Sequence, residues 1–168
     1  MIFVVIGQAG AGKTSFVKRQ FLQGEAEVVE DIVSYTTNGK YYAMGKYNVG
    51  IRCEGTDTLS YSAGKDIRRQ VEKLVMQGKN IVLEGDRINN AAMMKFLMRY
   101  SEHVQLIFLY CSITESIRRL RAAGSSISPS FVRATKTKSK NNFLKYREYF
   151  RGRAINTEAK EIGRKTTD

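Results

Sequence analysis

Histidine, cysteine and proline are almost missing from this sequence: one, two and one among 168 residues. His103 stands alone ahead of an apolar run and reads as a surface residue, which leaves little room for histidine-based acid–base or metal chemistry. Cys53 and Cys111 lack metal-ligand spacing and form no disulfide framework, so a reducing, cytoplasmic setting is expected. No apolar run is long enough to cross a bilayer, and no N-terminal signal segment is expected. Repeats and low-complexity linkers are missing too, and only Pro129 interrupts the chain as a proline. The length suits one domain, 1–168, with a full core.

Acidic residues are scarce in one region in particular. Residues 118–168 hold fourteen Lys/Arg and four Asp/Glu, whereas residues 1–117 hold fourteen and twelve. Nearly all of the net charge of +12 therefore lies in the last third. A solvated basic helix and a few phosphate-binding arginines account for part of it, and the surplus suggests a polyanionic partner, DNA being the one expected.

What is present begins with GQAGAGKTS at residues 7–15. Gly7 to Thr14 satisfies G-x-x-x-x-G-K-[ST] at every fixed position. Ahead of it, IFVVI (2–6) is a short unbroken apolar run, suited to a strand buried on both faces. Behind it, SFVKRQFLQ (15–23) has the spacing of an amphipathic helix stopped by Gly24. Strand, glycine loop and helix are the context the motif requires. The glycines let backbone N–H groups curl inward at the positive end of a helix. Gly7, Gln8, Ala9, Gly10, Ala11, Gly12, Lys13, Thr14 and Ser15 are thus the expected nucleotide-binding set. Lys13 faces the β and γ phosphates of ATP, and the Thr14 hydroxyl is a ligand for Mg²⁺.

Further along, Asn38-Gly39 lies between β-rich flanks and predicts a two-residue hairpin turn. That register pairs Thr37 with Lys40, Tyr35 with Tyr42 and Val33 with Met44, and it brings tyrosines to the acceptor side of a cleft. A helix is expected from about Ala63 to Gln77, then a buried strand in NIVLEGDR (80–87). A helix with Met93, Phe96 and Leu97 inward follows, then a strand over 104–111. SITESIRRLRAAG (112–124) reads as a helix with a capping box, closed by Gly124. A basic lid and helical segment covers about 118–153, with a short strand near Ala154–Asn156. Alternating strands and helices after a phosphate loop give the α/β class: a three-layer P-loop kinase sandwich with a mainly parallel sheet and an inserted β-hairpin. Its ligands sit at the carboxyl ends of the strands.

Three clusters carry candidate chemistry. Glu84, Asp86 and Arg87 follow a buried strand directly. A carboxylate there holds Mg²⁺ or accepts a proton, which makes Thr14, Glu84 and Asp86 the expected metal set, while Arg87 clamps an oxygen of the phosphate or acceptor. Asp57, within GTDTLS (55–60), is flanked by hydroxyl residues on the acceptor side. Since a metal-bound carboxylate is a poor base, Asp57 is the expected proton acceptor. Arg118 and Arg121 are three apart, share a helix face, and are expected to meet the transferring phosphoryl group, with Arg119 solvated.

These features together resemble the nucleoside and nucleotide kinase group of P-loop proteins. More narrowly, GKYYAMGKYNVGIRCEGTDTLSYS followed by IVLEGDR resembles the phage-type 5-hydroxymethyluracil DNA kinases. The resemblance implies transfer of ATP's γ-phosphate to the hydroxymethyl group of a modified base in DNA. It also implies Lys13 and Thr14 at ATP–Mg²⁺, Asp57 as base, and Asp86-Arg87 at the transfer site. A free nucleoside or nucleotide, or a polynucleotide 5′-hydroxyl, is the alternative acceptor, and an ATP-gated nucleic-acid binder is the alternative that is not an enzyme. A GTPase switch is excluded, because neither N-K-x-D nor a strand-end D-x-x-G occurs.

Overall fold

The computed structural model describes residues 1–47 and 54–158. Cys53, and the middle of the string that carries the narrower resemblance, lie outside the described residues. Seven strands form one sheet in the order β2-β3-β4-β5-β1-β6-β7. They are β1 (Ile2–Gly7), β2 (Glu27–Val29), β3 (Tyr35–Thr37), β4 (Tyr41–Met44), β5 (Asn80–Glu84), β6 (Val104–Tyr110) and β7 (Arg153–Asn156). From β4 to β7 every pairing is parallel, and β2 and β3 add an antiparallel edge.

The helices are α1 (Lys13–Phe21), α2 (Gly64–Met76), α3 (Ala91–Leu97), α4 (Ile113–Ala122) and α5 (Pro129–Tyr146). Strand alternation divides the core into two. Ile2, Val4, Ile6, Ile81, Leu83, Leu106 and Phe108 point to the face covered by α2, α3 and the Phe143 end of α5. Val5, Val82, Ile107 and Leu109 point to the other face, where α1 delivers Phe16, Val17 and Phe21. Helices on both faces of a mainly parallel sheet make the three-layer α/β sandwich expected from the sequence. No helix of the described residues is long and apolar enough to cross a membrane.

The hairpin forms, with a different register and a different turn. Tyr35 pairs with Met44, Thr36 with Ala43 and Thr37 with Tyr42. A two-residue type I′ turn needs a positive φ at Asn38, and among the described residues Arg151 is the non-glycine that has one. Asn38 is otherwise engaged: its Oδ1 accepts from the Lys40 and Tyr41 amides, and its Nδ2 donates to the Phe21 and Gln23 carbonyls. The side chain thus builds an Asx-type turn and ties the hairpin to the end of α1. Because the shift is two residues, Tyr35, Tyr42 and Met44 keep a common face. The second arm, β4, is also a core strand, parallel to β5.

The hairpin tyrosines pack rather than line a cleft. Tyr41 meets the rings of Phe3 and Phe21, and Tyr35 meets Tyr42.

Candidate active site

The phosphate loop joins the carboxyl end of the central strand β1 to α1. Its path is set by close approach: a Cβ on Gly10, which has φ +78°, would lie 2.6 Å from the Ser116 carbonyl oxygen. Gln8 is buried and anchors the loop, donating from Nε2 to the Cys111 carbonyl at 2.7 Å and to Ser116 Oγ at 3.1 Å. The Ala9 amide donates to Thr135 Oγ1 of α5 at 3.2 Å. Gly12 starts α1 in the left-handed region and supplies no side-chain cap, so the first-turn N–H groups keep their capacity for an anion. Lys13 Nζ donates to the carbonyls of Gly7 and Gln8, both at 3.1 Å, which holds the ammonium against the loop. Ser15 is exposed on α1.

Glu84 closes β5 beside this loop. Its Oε1 accepts from the Thr14 hydroxyl at 3.2 Å and from the Tyr47 hydroxyl at 3.3 Å. Thr56 Oγ1 donates to the Glu84 carbonyl at 2.7 Å, which docks the loop that follows Glu54 on the strand end. That docking depends on Gly55, where a Cβ would land on Glu84 Oε1. Burial raises the Glu84 carboxyl to about 7, and the nearby Lys13 ammonium pulls the other way. Burial, then the Glu84 charge, likewise pushes the Tyr47 hydroxyl well above its ordinary range.

Asp86 lies two residues further on and faces another direction. Its Oδ1 pairs with Lys138 Nζ of α5 at 2.9 Å. Thr14 and Glu84, from the expected metal set, are therefore brought together, while Asp86 is held by a lysine. Asp57 lies in the turn Thr56–Thr58, where its Oδ1 is 3.6 Å from Arg87 Nε and its carbonyl accepts from Arg87 Nη2 at 3.4 Å. The Arg87 guanidinium carbon sits 4.0 Å from the centroid of the Tyr61 ring.

The arginines of α4 are arranged differently from the expectation. Ser112 caps the helix by accepting from the Glu115 amide. Glu115 then grips Arg118 through two contacts, at 2.7 and 2.6 Å, and Arg119 through one at 2.6 Å. Those hydrogen bonds, Arg118's first, hold the Glu115 carboxyl at about 2. Arg118 and Arg121 are exposed and do not reach the cleft together. Arg119, expected in solvent, is the half-buried one, with Nη1 3.9 Å from where a Gly12 Cβ would be. It also donates to Thr157 Oγ1 at 3.0 Å, just beyond β7. A three-residue spacing sets a shared face but not which residue of the turn meets the loop.

The inner face of α5 is the contribution that sequence reading missed. Thr135 reaches the phosphate loop, Lys136 donates to the Cys111 carbonyl at 2.8 Å, and Lys138 holds Asp86. Ser139 and Asn142 bond Asn89, just after the Glu84–Arg87 corner. Two lysines of the basic segment therefore serve the site instead of facing outward. The signal was there in Val132, Thr135, Ser139 and Phe143, which share a stripe at helical spacing but look only half apolar.

The donor chemistry fits ATP with Mg²⁺. Mg²⁺ takes hard oxygen ligands, usually one or two from the protein, together with waters and substrate phosphates. The Thr14 hydroxyl and the Glu84 carboxylate, in mutual contact beside the Lys13 ammonium, are such a pair.

No family model and no curated protein matches the chain. Among solved structures it is similar to deoxyadenosine kinase from M. mycoides in three states. With dCMP and a flexible dCDP bound, the identity is 13%, the TM-score 0.49, and 94% of this chain and 90% of that chain are covered. With dATP bound, the identity is 13%, the TM-score 0.45 and the coverage 94% and 92%. With dCTP bound, they are 13%, 0.43, and 94% and 91%. With these three TM-scores under 0.5, the likeness concerns general outline and carries nothing about the chemistry.

Proposed function

We propose that the protein is an ATP-dependent phosphotransferase that phosphorylates a hydroxyl of a nucleic-acid component. One observation carries this reading: the Thr14 hydroxyl of a complete phosphate loop meets the buried Glu84 carboxylate of the neighbouring strand. The loop amides and Lys13 would hold the β and γ phosphates, with Lys13 turning from the Gly7 and Gln8 carbonyls to the anion. Thr14 and Glu84 would hold Mg²⁺, which when bound spreads the developing negative charge.

In the transfer, the acceptor oxygen forms a bond to the γ phosphorus and the bond to the β–γ bridging oxygen breaks. ADP leaves with that electron pair, and the hydroxyl proton passes to a carboxylate. Asp57 is our assignment for that carboxylate. Its contact with Arg87 is longer than the Asp86–Lys138 pair, and it lies on the acceptor-side loop. Asp86 and Lys138 would then face the transferring group, Lys138 as the cation.

Our preferred acceptor is the hydroxymethyl group of 5-hydroxymethyluracil in DNA. The basic surplus of residues 118–168 and the resemblance of the 39–62 and 81–87 strings support it. A free nucleoside or nucleotide is the second reading. It is favoured by Lys136 and Lys138, whose charges are directed to the site rather than outward. Labelled ATP should be offered with 5-hydroxymethyluracil DNA, unmodified DNA, a 5′-hydroxyl oligonucleotide and free nucleosides and nucleotides. Preferential labelling of the modified DNA supports the first acceptor, and stronger labelling of free nucleotides supports the second. ATP-dependent DNA binding with no labelled product on any hydroxyl would overturn the phosphotransferase reading.

A further inference from the structure

We propose that the open face of Tyr61 is a stacking platform for the nucleobase of the acceptor. This rests on the phosphotransferase reading and extends it to how the acceptor is recognised. Tyr61 is 93% exposed, more than any other large hydrophobic side chain described. A lone exposed tyrosine would mean little, but this ring has a cation behind it. Arg87 lies against it at 4.0 Å, in the spacing of a guanidinium–ring stack. Arg87 in turn is fixed by Asp57 through both carboxylate and carbonyl, and its side chain is only 16% exposed.

Two further facts make the ring a built surface. Arg87 Nε and Nη1 are buried and have no hydrogen-bond partner, so the π face of Tyr61 joins the Asp57 carboxylate, 3.6 Å from Nε, in compensating that charge. The cation thus backs one face of the ring and leaves the other to solvent. The platform also stands on the acceptor-side loop, four residues from Asp57 and on the same arginine. The other tyrosines of this half of the molecule are occupied: Tyr35, Tyr41 and Tyr42 in ring contacts, and Tyr47 buried against Glu84.

Such a surface takes a planar aromatic base of any sequence, because every base offers a π face. A base within duplex DNA would have to leave the stack to reach it. Nucleosides and unpaired nucleotides are thus the class it fits.

The test measures binding, not turnover, with ADP saturating the phosphate-loop side. Thymidine, 5-hydroxymethyl-2′-deoxyuridine and base-free 2-deoxyribose are titrated into wild type, Tyr61→Phe and Tyr61→Leu. Nucleoside affinity should fall about five- to a hundredfold in Tyr61→Leu and stay within about twofold in Tyr61→Phe. The weak response to deoxyribose, the ADP affinity and the melting temperature should not change. Nucleoside binding in Tyr61→Leu equal to wild type would overturn the platform. So would equal losses in the two variants, or a wild-type protein that binds nucleosides no better than deoxyribose. Ring-dependent nucleoside binding without phosphoryl transfer would keep the platform and sink the phosphotransferase, and transfer indifferent to the ring would do the reverse.

Discussion

Lys138 and Asp86 meet at 2.9 Å although 52 residues separate them, and both side chains stay partly open to solvent. An ion pair this exposed is worth at most about 1 kcal/mol of stability. Its significance is positional, because α5 brings a cation to the corner where β5 ends.

If Lys138 meets the transferring phosphoryl group, Lys138→Met should lower turnover about ten- to a hundredfold. Lys138→Arg should retain more of it, and the melting temperature should move little in either variant. Turnover and thermal melts on the same preparations check this. Full turnover in Lys138→Met would reduce the pair to a surface contact.

Lys13→Ala should cut phosphoryl transfer by several orders of magnitude and leave the fold intact, because the ammonium contacts loop carbonyls rather than the core. Transfer near the wild-type rate in a folded Lys13→Ala protein would remove the ATP assignment.

Three carboxylates are separable by titrating Mg²⁺ and ATP. Glu84→Gln should weaken metal-dependent ATP binding, since Glu84 is the carboxylate in contact with Thr14. Asp57→Asn should lower turnover about a hundredfold or more with ATP affinity kept. Asp86→Asn should lower turnover less, by releasing Lys138. If Asp57→Asn turns over normally while Asp86→Asn does not, the base is Asp86.

Stability of the metal-free protein should carry the mark of Glu84. Burial raises this carboxyl from 4.5 to about 7. Between those values the folded protein holds a proton that the unfolded chain has released. The contribution is therefore fully present below pH 4.5 and is lost as pH rises through about 7. Melting in EDTA at pH 5 and pH 8 should show a larger fall for wild type than for Glu84→Gln, which cannot ionise. Equal falls would mean that Glu84 is not protonated in the empty site. Mg²⁺–ATP should restore stability most strongly above pH 7, where the carboxylate is free to hold the cation.

The DNA acceptor predicts contact through the outer side of α5. Arg133, Lys140 and Arg147 are exposed and seven apart, which keeps them on one helix face. Neutralising all three should flatten the slope of log affinity against log salt by roughly two to three. Neutralising Lys136, which bonds the Cys111 carbonyl, should leave the slope unchanged. A slope that ignores the outer three would point to free nucleotides.

Local chemistry made much of this protein legible. An apolar strand, a glycine loop and an amphipathic helix in succession are local patterns, so β1, α1 and the α/β class could be read directly. The Ser112–Glu115 cap, α2 and the buried strand before Glu84 also follow from spacing, because helix and strand periods are properties of the chain itself. The turn at Asn38-Gly39 was misread for a tertiary reason: its amide bonds carbonyls of α1, which no dipeptide preference registers.

The site divides in the same way. Sequence alone singled out Lys13, Thr14, Glu84, Asp86, Arg87 and Asp57 as candidates, since each lies in or beside a motif or at a strand end. Tertiary structure decided how they are paired. Glu84 rather than Asp86 meets Thr14, because alternation along β5 turns Glu84 to the α1 side, as it does Val82, while Asp86 lies beyond the strand and pairs with Lys138. Arg119 rather than Arg118 lies beside Gly12, held there by Glu115 and Thr157 together. Lys138 reaches Asp86, and Arg87 backs Tyr61, only because the sheet order sets the ends of distant segments side by side. Periodicity states which face a residue occupies, and folding alone states what that face meets.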